Sequence, residues 1–493
     1  MGSPHSRNVV LTITATLCFL YFYTQPFRNI FSDSAAADFI NDGLSQLRGT
    51  KFPDFGQYVP LGTLDPHEFP LGHPTGSNAN ADDPSRRVII VGDVHGQFQY
   101  LQKLLDKVEY DSSSDVLVHV GDIMSKGSHK GSMSVISFMA KHNVTGVRGN
   151  HDQKVVEWRA WLDWIHDLPG GPQFLISAQA SWEKAANNGM DLKEWLKRQN
   201  RHPARGTHHW WKRVPNGWVL FGDHFSIAYE LTDAEWRYLR NLPLRLYIPS
   251  AHTFIAHAGI LPEDIRYKKT DKRQPLARPP VVVKAQGSHH AVTEAMRQLQ
   301  ETKVLNIRQN KDAYVVLNMR SILKGKITRE NDGLPWMNLW NEDMDLCSGY
   351  TSSDERARGK NPSSLPCMPS TVVYGHSAAR GLDINRWTIG LDTGCVYGRR
   401  LTAVVLGRAA RGAPKAGADH EAGEVIHDDE DEEDDEAEEG DEEDNEDEDE
   451  DELEDRSISI ESRRRRKHKH KQRKSRIRYG DRGHGRLYSV KCR

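Results

Sequence analysis

The sequence predicts an α/β fold in which successive strands deliver polar clusters to one edge of a sheet. Three stretches carry that reading. Val88 to Val91 is a short, β-branched run that stops at Gly92-Asp93-Val94-His95-Gly96, and the following Phe98, Leu101, Leu104, Leu105 and Val108 recur at helical spacing. Asp115 to Val120 is a second strand ending in Gly121-Asp122, with Met133, Ile136, Phe138 and Met139 suited to a helix after it. Val144 to Val147 is a third, ending in Arg148-Gly149-Asn150-His151-Asp152. Strand, helix, strand, helix, strand with a polar group after each strand makes the clusters converge, beside helix N-termini whose free N–H groups favour anions.

Convergence is what a metal site needs. Two divalent ions about 3.5–4 Å apart require a bridging carboxylate, further oxygen and imidazole ligands, and open positions for water and substrate. Asp93 and His95 suit the first ion, Asp122 the bridge and Asn150 the second ion. Two more imidazoles come from later strands. His257 follows Phe254-Ile255-Ala256, and His376 follows Val372-Val373-Tyr374-Gly375; each ends a strand and adjoins glycine. Singly such residues often only cap turns; a succession of them, each after an apolar strand, points to a binuclear site. His208, His209, His224 and His252 lack that context and read as surface or core histidines.

With 493 residues and 37% hydrophobic content, the chain can bury one large core or two ordinary ones. Its net charge of −3 averages a strongly acidic block against a strongly basic one. The five cysteines show no metal-finger spacing, and an oxidising lumen would allow a Cys347–Cys367 bridge. Val9 to Tyr23, within an N-terminal segment 1–31, is uncharged and mostly apolar. It reads as an uncleaved single-span anchor in preference to a signal peptide, because the small residues Ala35 to Ala37 lie well past the apolar run. Residues 32–85 carry Gly, Pro, Asn and Asp with little periodicity, as a stalk or linker does.

The motifs GDVHG, GDIMSKG, RGNHD, HAGI and YGHS, spread over 86–407, resemble those of the calcineurin-like metallophosphoesterases. The resemblance implies a β-sandwich flanked by helices, in four layers, and hydrolysis by a water activated between two divalent ions. GDIMSKG, YGHSAARGLD and LDTGCVYGRRLTAV resemble the ApaH-like phosphatase group within it. In protein serine/threonine phosphatases the second motif ends Asp-Arg-Gly; here Ser125 and Lys126 stand in those places, so the carboxylate that orients the catalytic histidine is missing. The resemblance assigns His151 as proton donor to the leaving oxygen, with Asp152 as its orienting partner, and Lys126, Arg148 and Arg380 as holders of phosphate oxygens.

Two insertions interrupt the domain. Residues 158–218 are tryptophan-rich and partly basic; Trp158, Trp161 and Trp164 recur every three residues, which favours a helical core over a stacking platform. Residues 264–312 are polar, basic and proline-bearing, hence a loop or second insertion. Beyond Arg408 the fold is expected to end in a disordered tail, residues 408–493, acidic from Asp428 to Asp455 and basic from Arg463 to Arg478. Its basic block suits a polyanion, and cutting at Gly407 is expected to spare turnover of short substrates.

Anchor and motifs together resemble the fungal vacuolar endopolyphosphatases, a zinc-dependent single-span family with the catalytic domain in the lumen. That implies endo-cleavage of inorganic polyphosphate, with two divalent ions, zinc favoured and manganese, cobalt or magnesium admissible. Diadenosine-tetraphosphatase, cap-type nucleotide pyrophosphohydrolase and protein serine/threonine phosphatase activities are the alternatives, and a non-catalytic membrane scaffold the least favoured. No specific nucleic-acid partner is indicated. Asn143-Val144-Thr145 is a glycosylation sequon consistent with a lumenal domain.

Overall fold

The computed structural model describes residues 52–64, 87–282, 288–350, 364–407, 475–481 and 483–493. The expected membrane segment, the bulk of the linker and the acidic run lie outside these residues, as does the basic run up to residue 474. No helix among the described residues is long and apolar enough to cross a membrane. The chain divides into two compact units, residues 1–55 with 160–222, and 56–159 with 223–493.

The larger unit is built on two six-stranded mixed sheets. The strands in chain order are β1 (Gly62–Thr63), β2 (Arg87–Val91), β3 (Val116–His119), β4 (Thr145–Gly146), β5 (Arg245–Ile248), β6 (Thr253–Ala256), β7 (Ser321–Leu323), β8 (Lys326–Thr328), β9 (Leu334–Pro335), β10 (Thr371–Tyr374), β11 (Asp383–Ile384), β12 (Thr388–Gly390), β13 (Arg400–Gly407), β14 (Arg476–Tyr479) and β15 (Gly483–Lys491). One sheet runs β1-β5-β6-β10-β12-β11 and the other β14-β15-β13-β2-β3-β4, with β8-β7-β9 as a small third. The three strands read first from the sequence, β2, β3 and β4, pair in parallel. So do β6, β10 and β12. The motif-bearing ends therefore point one way within each sheet.

Alternation along each strand sets the layers. Val88 and Ile90 of β2, Val118 of β3 and Val404 and Leu406 of β13 share one buried core with Leu246, Ile248, Ile255, Val373 and Ile389 of the first sheet. Between those positions Tyr247, Phe254, Ala256, Val372 and Tyr374 face the other way. They meet buried side chains of three helices, His289–Leu305, Ala313–Asn318 and Trp336–Asp345. The helices α1 (Phe98–Lys107) and α2 (His129–Lys141) bury Leu101, Leu104, Val135 and Ile136, and Lys107 Nζ donates to the Ser489 carbonyl of β15 at 2.8 Å. Helix, sheet, sheet, helix is the four-layered sandwich expected.

The smaller unit is helical and filled with aromatic rings. Phe174 stacks on Trp210 at 5.7 Å, and Trp195 packs against Trp182, Trp211 and Phe221. The Trp161 indole N–H donates to the Arg213 carbonyl at 2.7 Å, and Trp161, Trp195, Trp210 and Trp211 are all buried. Trp158, in the larger unit, is buried beside Phe225. These rings are core.

Three expectations need correction. Part of the linker belongs to the fold, because β1 pairs in parallel with β5, and Leu64 is buried in the intersheet core. Residues 264–312 are not all loop: the helix His289–Leu305 buries Arg297, Gln300, Glu301, Val304 and Leu305. The last residues are not tail. β15 runs antiparallel to β13 from Gly485↔Leu406 to Lys491↔Arg400, and a second disulfide, Cys395–Cys492, joins Cys492 to residue 395 just before that strand pair; Cys347–Cys367 forms as well. Pairing across 97 residues of sequence separation leaves no local signal.

Two predictions follow from this packing. Ending the chain at Gly407 removes β14 and β15 and is expected to lower the unfolding temperature sharply. Cys492→Ser alone is expected to cost about 2–4 kcal/mol in denaturant unfolding. Unfolding curves that coincide with the full-length protein would contradict the role of the C-terminal hairpin.

A further prediction concerns pH. His252 lies between Glu301 (3.1 Å) and Glu294 (3.4 Å), and Glu301 also accepts from Tyr247 and Ser370. Burial works against its proton, but the two glutamates outweigh burial and hold His252 at about 9, above the ordinary 6.5. This contribution is fully present below pH 6.5 and is lost as the pH rises through about 9. Stability measured between about pH 6 and pH 10 should fall more steeply for the native protein than for His252→Gln; parallel curves would contradict it.

Candidate metal centre

Each predicted ligand sits where its strand ends. Asp93 and His95 follow β2, Asp122 follows β3, His257 follows β6 and His376 follows β10. Asn150 opens helix α3 (Asn150–Asp167) after β4. Several of these turns need backbone that side chains rarely adopt: φ is +45° at His95, +49° at Asp122 and +71° at His376. Close approach requires glycine behind them. A Cβ at Gly149 would lie 2.1 Å from Asp122 Oδ1, and one at Gly375 would lie 2.0 Å from Asp93 Oδ1.

The six side chains converge. One oxygen or nitrogen each from Asp93, His95 and Asp122 lie within 4.8 Å of one another, all buried. Asp122 Oδ2 is 3.6 Å from His95 Nε2 and 3.4 Å from His257 Nε2, which puts this carboxylate between the two halves of the cluster. On the far side Asn150 Oδ1 is 3.0 Å from His257 Nε2 and 2.9 Å from His376 Nδ1. That spacing matches the distance of about 3 Å between adjacent ligands of an octahedral ion with bonds of ~2.1 Å. His257 Nδ1 lies 2.9 Å from the Val120 carbonyl, which as acceptor fixes the proton there and leaves Nε2 for a ligand. His376 Nε2 is buried and finds no hydrogen-bond partner among the described residues.

Charge in the site is poised for a cation. Burial, helped by Asp392, raises Asp93 well above the carboxylate range. Burial would raise Asp122 too, but His257, His151 and His95 together hold it well below. In return Asp122 and Asp93 overcome burial at His257 and keep it at about 9. Burial pushes His95 down to about 4 and His376 well below its ordinary value, so both rings are in the neutral form that metals take. The donor set, its spacing and its packed carboxylates fit two divalent ions sharing Asp122.

Around this core the remaining predicted residues divide. Lys126 Nζ reaches within 3.4 Å of His95 Nε2 and stands over the exposed Tyr397 ring at 6.0 Å, so its ammonium is at the site. Arg380 lies on the short turn after His376, and its guanidinium reaches Asn331 at 3.4 Å. Arg148 is not a phosphate holder: fully buried, it donates to Gln153 Oε1 at 2.8 Å and to the carbonyls of Gly56, Gln57 and Arg240. His151 is at the site, its backbone N–H donating to Asp122 Oδ1 at 2.9 Å. Asp152 does not orient it. Its two oxygens accept the backbone N–H groups of Ile123 (3.1 Å) and Gly149 (2.9 Å), tying the second motif to the third.

Sequence reading missed three groups. His224 Nε2 lies 2.9 Å from His151 Nδ1; it belongs to a helix with no strand before it and so lacked the signal that marked the ligands. Asp392 follows β12 as the ligands follow their strands, and its burial beside Asp93 could have been anticipated from that placement. Arg320 Nη2 donates to the His376 carbonyl at 3.4 Å and sits next to β7, which the sequence did not mark as a strand.

Residues 86–259 match the family described as calcineurin-like phosphoesterase. Over 113 residues the chain is 39% identical to serine/threonine-protein phosphatase 1 of Salmonella typhimurium, covering 20% of this chain and 51% of that protein. Over 121 residues it is 31% identical to the symmetrical bis(5'-nucleosyl)-tetraphosphatase of Haemophilus ducreyi, covering 24% and 41%. The chain spans about half the length of these curated relatives. A solved structure described as a candidate diadenosine tetraphosphatase aligns at a TM-score of 0.34 and 22% identity, over 71% of this chain and 94% of that one.

Asp152→Ala is expected to destabilise the fold by about 2–4 kcal/mol, since it strands two buried N–H groups, whereas His151→Ala should leave the unfolding free energy nearly unchanged. Equal effects of the two substitutions in denaturant titrations would contradict the separation of roles.

Proposed function

From the premise that this chain carries a calcineurin-like metallophosphoesterase domain, we propose that it is a metal-dependent phosphohydrolase acting on phosphoanhydride bonds, with inorganic polyphosphate as substrate and cleavage within the chain. The observation that carries the hydrolase reading is the buried Asp122 carboxylate set between the His95 and His257 imidazoles, with Lys126 and His151 beside it. Divalent ions held by Asp93, His95, Asp122, Asn150, His257 and His376 would activate water and neutralise charge on the phosphoryl oxygens. The chain's own residues do the rest. Lys126 holds a non-bridging oxygen of the phosphoryl group, Arg320 and Arg380 extend the positive charge along the substrate, and His151 gives a proton to the leaving oxygen.

Polyphosphate offers no base to recognise, so its site needs cations and little that stacks. The buried tryptophans support that choice, because their rings pack against one another and against Phe174. One observation favours a second reading. Tyr397 is 60% exposed next to Lys126, where a nucleobase could stack, as a dinucleotide polyphosphate would require. We place the domain in an oxidising lumen, the vacuole by preference, held by the N-terminal apolar segment. The two disulfides and the exposed Asn143 of the sequon support this compartment.

The test is a gel of long-chain polyphosphate incubated with the purified protein and zinc, with diadenosine tetraphosphate, capped RNA and a phosphopeptide assayed in parallel. Intermediate chain lengths that shrink before orthophosphate dominates are expected. Intact polyphosphate beside rapid turnover of one of the other substrates would overturn the assignment.

A further inference from the structure

The position that carries an orienting carboxylate in the Asp-Arg-Gly form of the second motif is Ser125 here, yet His151 is not left without a partner. Its Nδ1 lies 2.9 Å from His224 Nε2, and the two rings lie edge to edge, centroids 5.1 Å apart and 20° between planes, as an in-plane hydrogen bond requires. His224 is the second residue of the helix Asp223–Glu230, which is anchored by buried Phe225, Ile227 and Ala228. Ser125 Oγ stands 3.1 Å from His224 Nε2 and donates its proton to Asp223 Oδ2 at 2.5 Å. The same carboxylate oxygen accepts the Lys126 backbone N–H at 2.9 Å. Ser125 and Lys126 both have left-handed backbone, at φ +72° and +63°, so Asp223 holds a turn that L-residues resist.

We propose that Asp223, Ser125 and His224 together replace the missing carboxylate, with His224 fixing the ring of His151 through an Nδ1–H···Nε2 hydrogen bond while Asp223 and Ser125 fix the turn that presents Lys126. These are positioning residues; the inference rests on the reading of His151 as proton donor given above. With its own proton on Nδ1, His224 offers the Nε2 lone pair to His151 Nδ1–H. That leaves His151 Nε2, the ring's other nitrogen, free of His224, on a ring whose centroid is 5.4 Å from that of His95. In hydrolysis the oxygen of water bonds to phosphorus and gives up one proton to solvent, the bond from phosphorus to the leaving oxygen breaks with its electron pair on that oxygen, and the His151 Nε2 proton goes to it. His151 keeps its Nδ1–H on His224 and regains its lost proton from solvent. Asp223 has a second effect, because the turn it holds also aims the Lys126 ammonium beside His95.

Leaving groups separate positioning from simple damage. Full-length protein, His151→Ala, His224→Ala and His224→Gln are compared on 4-nitrophenyl phosphate, whose leaving group needs no proton, and on phenyl phosphate, whose leaving group does. His224→Ala is expected to lower kcat on phenyl phosphate on the order of 10²-fold, with KM little changed and a much smaller loss on 4-nitrophenyl phosphate. His224→Gln, which can present an amide oxygen to the same N–H, is expected to recover most of the loss. Independently of turnover, the downfield proton spectrum of histidine-labelled protein should contain a His151 Nδ1–H resonance that His224→Ala removes and His224→Gln retains. If His151→Ala shows the leaving-group dependence while His224→Ala matches the native protein, or lowers both substrates equally, this inference fails and the proton-donor reading stands. If His151→Ala shows no such dependence, the proton-donor reading fails and takes the inference with it.

Discussion

Everything at the site is arranged about one buried carboxylate. Asp122 follows β3, with His95 and His257 3.6 Å and 3.4 Å from one oxygen and the His151 backbone N–H on the other. A charge so deeply buried is tolerated only when it is paired and hydrogen-bonded. That single requirement brings the first, second, third and fourth motifs together, and it explains why Gly149 cannot carry a side chain. Asp152 adds the backbone tie between the second and third motifs. The two sheets supply the platform, because β2, β3, β6 and β10 all end at residues of the cluster.

The convergence of these side chains was legible in the sequence because its signal is local. Each of Asp93, His95, Asp122, His257 and His376 comes within four residues of an apolar strand, and a strand followed by glycine and a polar residue can be read without knowing its neighbours. What escaped depends on contacts between distant segments. Strand β15 pairs with β13 and Cys492 bonds Cys395 across 97 residues. His224 meets His151 across 73 residues, from a helix whose own pattern says nothing of histidine chemistry. Arg148 shows the converse: a cation inside a functional motif looked available to phosphate, and packing turned it to backbone carbonyls instead.

The return of the chain after Gly407 changes how the charged region should be regarded. Residues 408–474 connect β13 to the start of the β14–β15 hairpin, both in the sheet that holds the first motif. They are therefore an insertion between strands of the catalytic unit. The two disulfides lie in this same unit, Cys347–Cys367 just past the helix Trp336–Asp345 and Cys395–Cys492 at the hairpin.

The central claim, that the cluster holds two divalent ions sharing Asp122, is tested most directly by anomalous diffraction from crystals of the protein grown with zinc or manganese. The account predicts two anomalous peaks about 3.5–4 Å apart, one beside Asp93 and His95, the other beside Asn150, His257 and His376, with Asp122 touching both. A single peak, or none among these side chains, would contradict it.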